Sequence, residues 1–364
     1  MSLLFSPLTL RDTVFRNRLW VAPMCQYSAI DGMPNDWHHV HLAQFASGGA
    51  GLIVAEATAV TPEGRITPRC TGLWSDAQRD AWRPVVDSIH ARGSLAGVQL
   101  AHAGRKASTW WPFAERAGVP LDGSVPADEG GWTTVAPSAI AYEGYAEPVA
   151  LDAAGIAAVV EAFRSAARRA VDAGFDVLEV HAAHGYLLHE FLSPLSNVRD
   201  DEWGGALENR ARLVLDVVRV VRAEAGEDVP ILVRFSASDA AEGGLEPDDV
   251  AAVSRWAVEA GADLIDVSSA GLVAHQRLSV GPGYQVPFAA RIREVAEVPV
   301  AAVGIITNGA QAEQILQDGS ADAIFAAREW LRDPHFALRA AVELGEDPHT
   351  LWPPQYLRAY RRAG

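Results

Sequence analysis

Short apolar runs alternate with amphipathic helical segments almost from one end of the chain to the other, and few folds accept that pattern. The runs at 19–22, 51–57, 94–100, 177–181, 231–235, 264–267, 300–303 and 323–325 are short and apolar enough to be strands buried on both faces. Between them, Ile156, Val159, Val160, Phe163, Ala167, Ala170 and Val171 recur at helical spacing behind an N-cap at Asp152. Leu213, Val214, Val217, Val218 and Val221 repeat the pattern, as do Trp82, Val85, Val86 and Ile89 after Ser75. Strand then helix, eight times over, predicts a single parallel (β/α)8 TIM barrel. An open doubly wound sheet shares the alternation and is the alternative on this signal alone.

With 364 residues, 49% of them hydrophobic, the chain can fill one sizeable core. Neither a domain boundary nor an internal repeat is visible, so residues 1–364 are read as one domain. The long irregular stretch 105–149, rich in Gly, Pro and Trp, follows the third strand. Loops of that length inside a compact domain are usually functional or lids. This one is expected to cap the C-terminal mouth of the barrel, where active sites of the fold lie. At the other end, Pro348, Pro353 and Pro354 interrupt any helix, and residues 348–364 suit an extended C-terminal arm.

Forty-six acidic against 30 basic side chains give a formal net charge of −16. That balance argues against nucleic acid or an anionic membrane as the main partner, while leaving room for a local basic pocket around a small anion. Cys25 and Cys70 are too few for a disulfide framework, a four-cysteine metal site or an iron–sulfur cluster. No run approaches the roughly 18 apolar residues of a membrane span, and residues 1–10 lack the features of a signal peptide. A cytoplasmic protein is the expectation.

Chemistry in such a barrel sits at the strand ends. The first ends in Ala22-Pro23-Met24-Cys25-Gln26-Tyr27, the second carries Glu56-Ala57-Thr58, and the third runs from Gln99 to His102-Ala103-Gly104-Arg105-Lys106. The fourth ends in His181-Ala182-Ala183-His184-Gly185-Tyr186. Arg234 lies on the fifth, Gly304 follows the seventh, and Ala327-Arg328 follows the eighth. His181-x-x-His184 admits a zinc reading, with His189 the nearest third ligand. The group His38, His39 and His41 reads as a helix surface with one residue touching the core. No Gly-x-Gly-x-x-Gly follows a strand, so no separate dinucleotide domain is expected.

Taken in order, Pro-Met-Cys-Gln-Tyr, His-Ala-Gly-Arg-Lys-Ala and His-x-x-His-Gly-Tyr resemble the motifs of the old yellow enzyme family of flavin-dependent ene-reductases. The thermophilic-like branch that includes the xenobiotic reductases is the most similar. The likeness runs from Phe5 to the terminal Gln355-Tyr356-Leu357-Arg358. It implies non-covalent FMN, held by Ala22, Pro23, Met24, Cys25, Ala57, Gln99, Arg234, Gly304, Ala327 and Arg328, with NADPH as hydride donor.

Under that resemblance, always-charged Arg234 stabilises the negative charge of the reduced flavin, and Gln99 serves its imide edge. Gly304 and Arg328 sit where barrels of this kind hold phosphate. The family's Gly-Arg pair is Ala327-Arg328 here, which preserves a backbone N–H unless that position needs positive φ. His181 and His184 would hydrogen-bond the carbonyl or nitro oxygen of the acceptor, so that hydride adds to the β-carbon of an activated C=C bond. Tyr186 would deliver the proton, Tyr27 would touch the substrate, and Cys25 would tune the flavin. Donor and acceptor would use one mouth in turn, giving ping-pong turnover. The resemblance further implies a homodimer or homotetramer in which the arm crosses an interface and Arg358 enters the neighbour's substrate site.

Two rivals remain open at this point. One is a flavin-free aldolase or isomerase barrel binding a phosphorylated substrate at Gly304 and Arg328, with Lys106, the only lysine, as its Schiff-base amine. The other is a non-catalytic binding barrel.

Overall fold

The computed structural model describes residues 2–116 and 118–360. At its centre eight parallel strands close into a barrel. They are β1 (Leu19–Val21), β2 (Leu52–Ala59), β3 (Leu95–Ala101), β4 (Val177–Ala182), β5 (Ile231–Ser236), β6 (Leu264–Ser268), β7 (Val300–Ala302) and β8 (Ala323–Ala326). Each pairs with the next in chain order, and β8 pairs back onto β1. The alternation in the sequence therefore encodes the closed barrel, not the open sheet, and closure leaves no free edge.

Eight helices surround it: α1 (Asp36–Ser47), α2 (Asp76–His90), α3 (Ala153–Ala173), α4 (Leu207–Ala225), α5 (Pro247–Glu259), α6 (Val286–Ala296), α7 (Gly309–Gln317) and α8 (Phe336–Glu343). The expected caps are in place. Ser75 Oγ accepts from the Gln78 N–H, and Asp152 Oδ1 accepts from the Gly155 N–H at 2.8 Å.

The period-2 geometry of the strands decides what lies inside the barrel. Trp20, Val54, Val177, Leu232, Leu264, Ala301 and Phe325 point inward and form a dry plug, while Leu19, Ile53, Leu178, Val233 and Ile265 pack outward under the helices. Counting two residues on from the plug gives Glu179 then His181 on β4, Arg234 then Ser236 on β5, and Asp266 then Ser268 on β6. The same parity puts Gln99 inward on β3. Apolar residues thus fill the lower barrel, and the same inward faces turn polar toward the mouth.

A bulge between Ala55 and Ala57 breaks the parity of β2. It turns Glu56 outward, where Oε1 stands 3.2 Å from His38 Nε2 of α1. That pairing corrects the reading of the histidine cluster. Both His38 and His41 are buried, His41 packing edge-on to Phe45 with ring centroids 4.8 Å apart.

Among its described residues the stretch 105–149 contains no α-helix, only short strand pairs and 3-10 turns. It leans on the loop after β2, with the Arg65 guanidinium over Trp132 and Arg69 over Trp111, and brings Phe113 edge-on to Tyr27 at 6.3 Å. After α8 the chain makes two 3-10 turns, Pro348–Thr350 and Pro354–Ala359, rather than one extended run. The last four residues of the expected arm, 361–364, lie outside the described residues.

Candidate active site

After β4 the chain turns sharply through two residues of positive φ, His184 (60°) and Gly185 (73°). A Cβ at 185 would stand 2.4 Å from the Gly271 carbonyl, so only glycine fits there. The turn is held from two sides. Lys106 Nζ donates to the carbonyls of His184 and Gly271, both at 2.9 Å. His189 Nδ1 accepts from the Gly185 N–H at 2.9 Å, which leaves Nε2–H to meet Asp239 Oδ1 at 2.8 Å.

So fixed, the turn gathers three rings at the mouth. His181 and His184 stand 5.2 Å apart and nearly perpendicular, and Tyr186 lies 5.0 Å from His181. His184 Nε2 is 2.7 Å from Ser268 Oγ, and His181 Nδ1 is buried without a partner. Burial, reinforced by Arg234, pushes both imidazoles well below their ordinary pKa. Each is therefore a neutral ring with one N–H to give. Burial also pushes the Tyr186 hydroxyl well above 10, so it keeps its proton.

Beneath the rings lie Gln99, Glu179, Arg234 and Asp266, all buried. Gln99 Nε2 donates to Glu179 Oε1 at 2.7 Å. Arg234 Nε is 3.1 Å from Asp266 Oδ2, an ion pair too poorly angled for a hydrogen bond.

Beyond β1, Glu56 Oε2 accepts the Gln26 N–H at 3.2 Å and anchors the segment carrying Cys25 and Tyr27. Burial, with Cys70 and Glu56 nearby, pushes the Cys25 thiol up, and it meets the Tyr27 hydroxyl. Cys25 is thus a protonated thiol rather than a thiolate.

A cavity of about 250 Å³ opens between β7 and β8, lined by Arg234, Ser268, Gly304, Ala327, Arg328 and Arg332 among others. Gly304 has φ +130°, and a Cβ there would press on Gln285 and Tyr284 at 3.2 Å. Ala327 has φ −117°, so alanine sits there without left-handed strain.

Strand ends thus bring Cys25, Tyr27, Gln99, His181, His184, Tyr186, Arg234, Gly304, Ala327 and Arg328 to one end of the barrel. Arg358 is not among them. Its segment lies by the C-terminal ends of α1 and α2, near Ser47 and Arg92, which is the opposite end of the barrel. The sequence reading passed over Glu179, Asp266, Ser268, Gln285 and Asp239. Counting parity from Val177 and Leu264 would have found the first three.

The chain matches the model of the NADH:flavin oxidoreductase / NADH oxidase family over residues 3–347. It is 46% identical to NADPH dehydrogenase of Listeria welshimeri, covering 99% of this chain and 100% of that one. It is 45% identical to NADPH dehydrogenase of Bacillus subtilis, over 98% and 99%. Among solved structures, morphinone reductase superposes with a TM-score of 0.79 at 28% identity, covering 96% of this chain and 92% of that one. The old yellow enzyme homologue from Zymomonas mobilis gives 0.76 at 27% identity, over 99% of each. The chain belongs to the NADH:flavin oxidoreductase / NADH oxidase family, that of the old yellow enzymes, and is an FMN-dependent oxidoreductase that draws its electrons from a nicotinamide nucleotide.

Proposed function

We propose that the protein oxidises NADPH and reduces the activated C=C bond of α,β-unsaturated carbonyl or nitro compounds, the two substrates using one mouth in turn. The observation that carries this reading is the pair of neutral, nearly perpendicular imidazoles at His181 and His184 beside a protonated Tyr186.

The residues present fit FMN. His181 Nδ1 is a buried polar atom without a hydrogen-bond partner in the protein, which a bound group would satisfy, and Arg234, its Nε turned to Asp266, lines the cavity beside Gly304. The cavity beside Gly304 and Arg328 offers a glycine-only backbone and three arginines, Arg234, Arg328 and Arg332, to a phosphate. Gln99, Arg234 and the backbone of Ala22, Pro23, Met24 and Ala57 would hold the ring system. Bound FMN supplies hydride-transfer chemistry.

The protein's own groups do the rest. Neutral His181 and His184 donate to the acceptor's oxygen and draw electron density from the adjacent double bond. Tyr186 holds the proton for the α-carbon. Tyr27 bounds the substrate, Phe113 of the capping loop stands behind it, and Cys25 presents an uncharged thiol to the cofactor. Lys106, donating to two carbonyls and pushed down to about 8 by burial, is a brace for the His184 turn. That engagement speaks against an imine-forming barrel. The relatives' name, NADPH dehydrogenase, supports NADPH as the donor.

The same reading makes residues 1–364 one domain and the molecule a homodimer or homotetramer in which Arg358 serves a neighbour's mouth. What supports the arrangement is the exposed position of Arg358 at the far end of its own barrel.

The test is stopped-flow kinetics on the two half-reactions. His181→Ala or His184→Ala slows flavin reoxidation by 2-cyclohexenone about a hundredfold, the effect of losing one oxyanion donor, and slows reduction by NADPH less. Unchanged reoxidation in both variants overturns the assignment.

A further inference from the structure

Glu179 and Asp266 are fully buried on the inward faces of β4 and β6, on either side of Arg234 on β5. One guanidinium there faces two carboxyls. Two bare carboxylates in a dry interior repel strongly, and a second negative charge has no counter-ion among the groups that line this part of the barrel. The ionisable neighbours are His181 above, held neutral, and Arg234 itself. Arg234 Nε lies 3.1 Å from Asp266 Oδ2, so Asp266 is the carboxyl that keeps its charge.

Glu179 is placed differently. Its Oε1 accepts from Gln99 Nε2 at 2.7 Å, while Oε2 is buried without a donor and meets the Asp266 carboxyl, whose two oxygens also lack one. A single proton on Glu179 Oε2, donated to one oxygen of Asp266, satisfies two of these three orphaned atoms and leaves the third to face Arg234.

We infer that Glu179 is a positioning residue held as the neutral acid, donating to Asp266 through Oε2 and fixing the amide of Gln99 through Oε1. The amide of Gln99 then has one N–H and its oxygen left to give to the flavin, in one orientation only. Burial and the facing Asp266 push the Glu179 carboxyl up to about 8, in keeping with this arrangement. The cluster stays electrically balanced, Arg234 against Asp266. The inference rests on reading Gln99 and Arg234 as flavin contacts.

Infrared spectroscopy of the FMN-loaded enzyme at neutral pH tests it. A protonated-carboxyl C=O stretch is expected, shifted in D2O and abolished in Glu179→Gln. The glutamine variant can donate to Asp266 and accept from Gln99, so it retains FMN within about twofold of the wild type on dilution. Glu179→Leu loses both hydrogen bonds, to Asp266 and from Gln99, and retains FMN at least about tenfold less well. Absence of an acid band sensitive to E179Q overturns the proposal, as does E179Q losing FMN as badly as E179L. A raised flavin potential in E179Q overturns it too, since that is the mark of a removed negative charge. Unchanged FMN retention in Gln99→Ala overturns the underlying reading of the site and leaves the infrared band in place, so the two failures are distinguishable.

Discussion

His184 Nε2 and Ser268 Oγ lie 2.7 Å apart, and that contact sets which ring nitrogen of His184 carries the proton. Gln285 Oε1 is already served by Ser269 Oγ at 2.6 Å and stands 3.3 Å from Ser268 Oγ. Ser268 has one proton for the two acceptors: given to His184 Nε2, the shorter contact, it leaves the ring's own proton on Nδ1, the nitrogen left to face a ligand. Ser268→Ala removes this bias. Phenolic ligands should bind about five- to tenfold more weakly, the worth of roughly one hydrogen bond. Ring nitrogen NMR shifts of His184 should move away from a pure Nδ1–H tautomer. Unaltered shifts and affinity would show that Ser268 does not set the tautomer.

Gly304 and Ala327 flank the same cavity but differ in what they tolerate. At 304, φ +130° lies in a region costly for any residue with a Cβ, and Gln285 and Tyr284 crowd the space that Cβ would take. Gly304→Ala should cost about 1–3 kcal/mol in stability and release FMN more readily. Ala327→Gly should leave FMN affinity within about twofold, because the φ of −117° is open to alanine. Equal FMN retention in the two variants would contradict this account.

Glu190 gives the fold a pH dependence. Its side chain is fully buried, accepts the Arg105 N–H at 2.9 Å, and is pushed by burial from the ordinary 4.5 up to about 8. Between those values the unfolded chain has lost a proton that the folded chain keeps. This contribution is whole below pH 4.5 and lost as pH rises through 8, at most roughly 5 kcal/mol. Glu179, also raised to about 8, acts in the same direction. Melting temperature should fall between pH 5 and 8, and Glu190→Gln should flatten part of that fall. A wild-type melting curve flat across the window would count against a neutral Glu190.

The barrel was legible in the sequence because its strands are buried on both faces. They read as continuous apolar runs such as Leu52–Ala55 with little polar interruption. The strand ends were legible because chemistry-bearing residues stand just where those runs stop, at Cys25, Gln99 and His181. Glu179 and Asp266 escaped notice because each sits inside an apolar run, where a lone acid looks like noise until parity shows which face it shares. His38 was misread because the bulge at Glu56, which no local pattern announces, creates the acceptor that buries it. The two 3-10 turns of the tail follow from contacts that only the folded molecule supplies, among them Tyr356 against His335 with ring centroids 5.5 Å apart.

Those contacts also frame the prediction about assembly. Leu351 packs against Gly49, where a Cβ would stand 3.0 Å from its side chain, and Trp352, Pro353 and Pro354 follow the ends of α1 and α2. The tail is thereby tied to the N-terminal end of its own barrel, with Tyr356 and Arg358 exposed. From there Arg358 cannot serve the mouth above it without crossing the height of the barrel, so any role in a substrate site belongs to a neighbouring copy. In the proposed isologous pair, two such tails would be placed symmetrically, each at the other's mouth. Arg358→Ala should then raise the KM for the enone about tenfold while FMN content and kcat change little, the pattern of a lost ground-state contact. Deletion from Trp352 onward should weaken the dimer in sedimentation velocity runs as well. A monomer with full activity at assay concentration, or an Arg358→Ala enzyme with unaltered KM, would return the tail to a purely structural role.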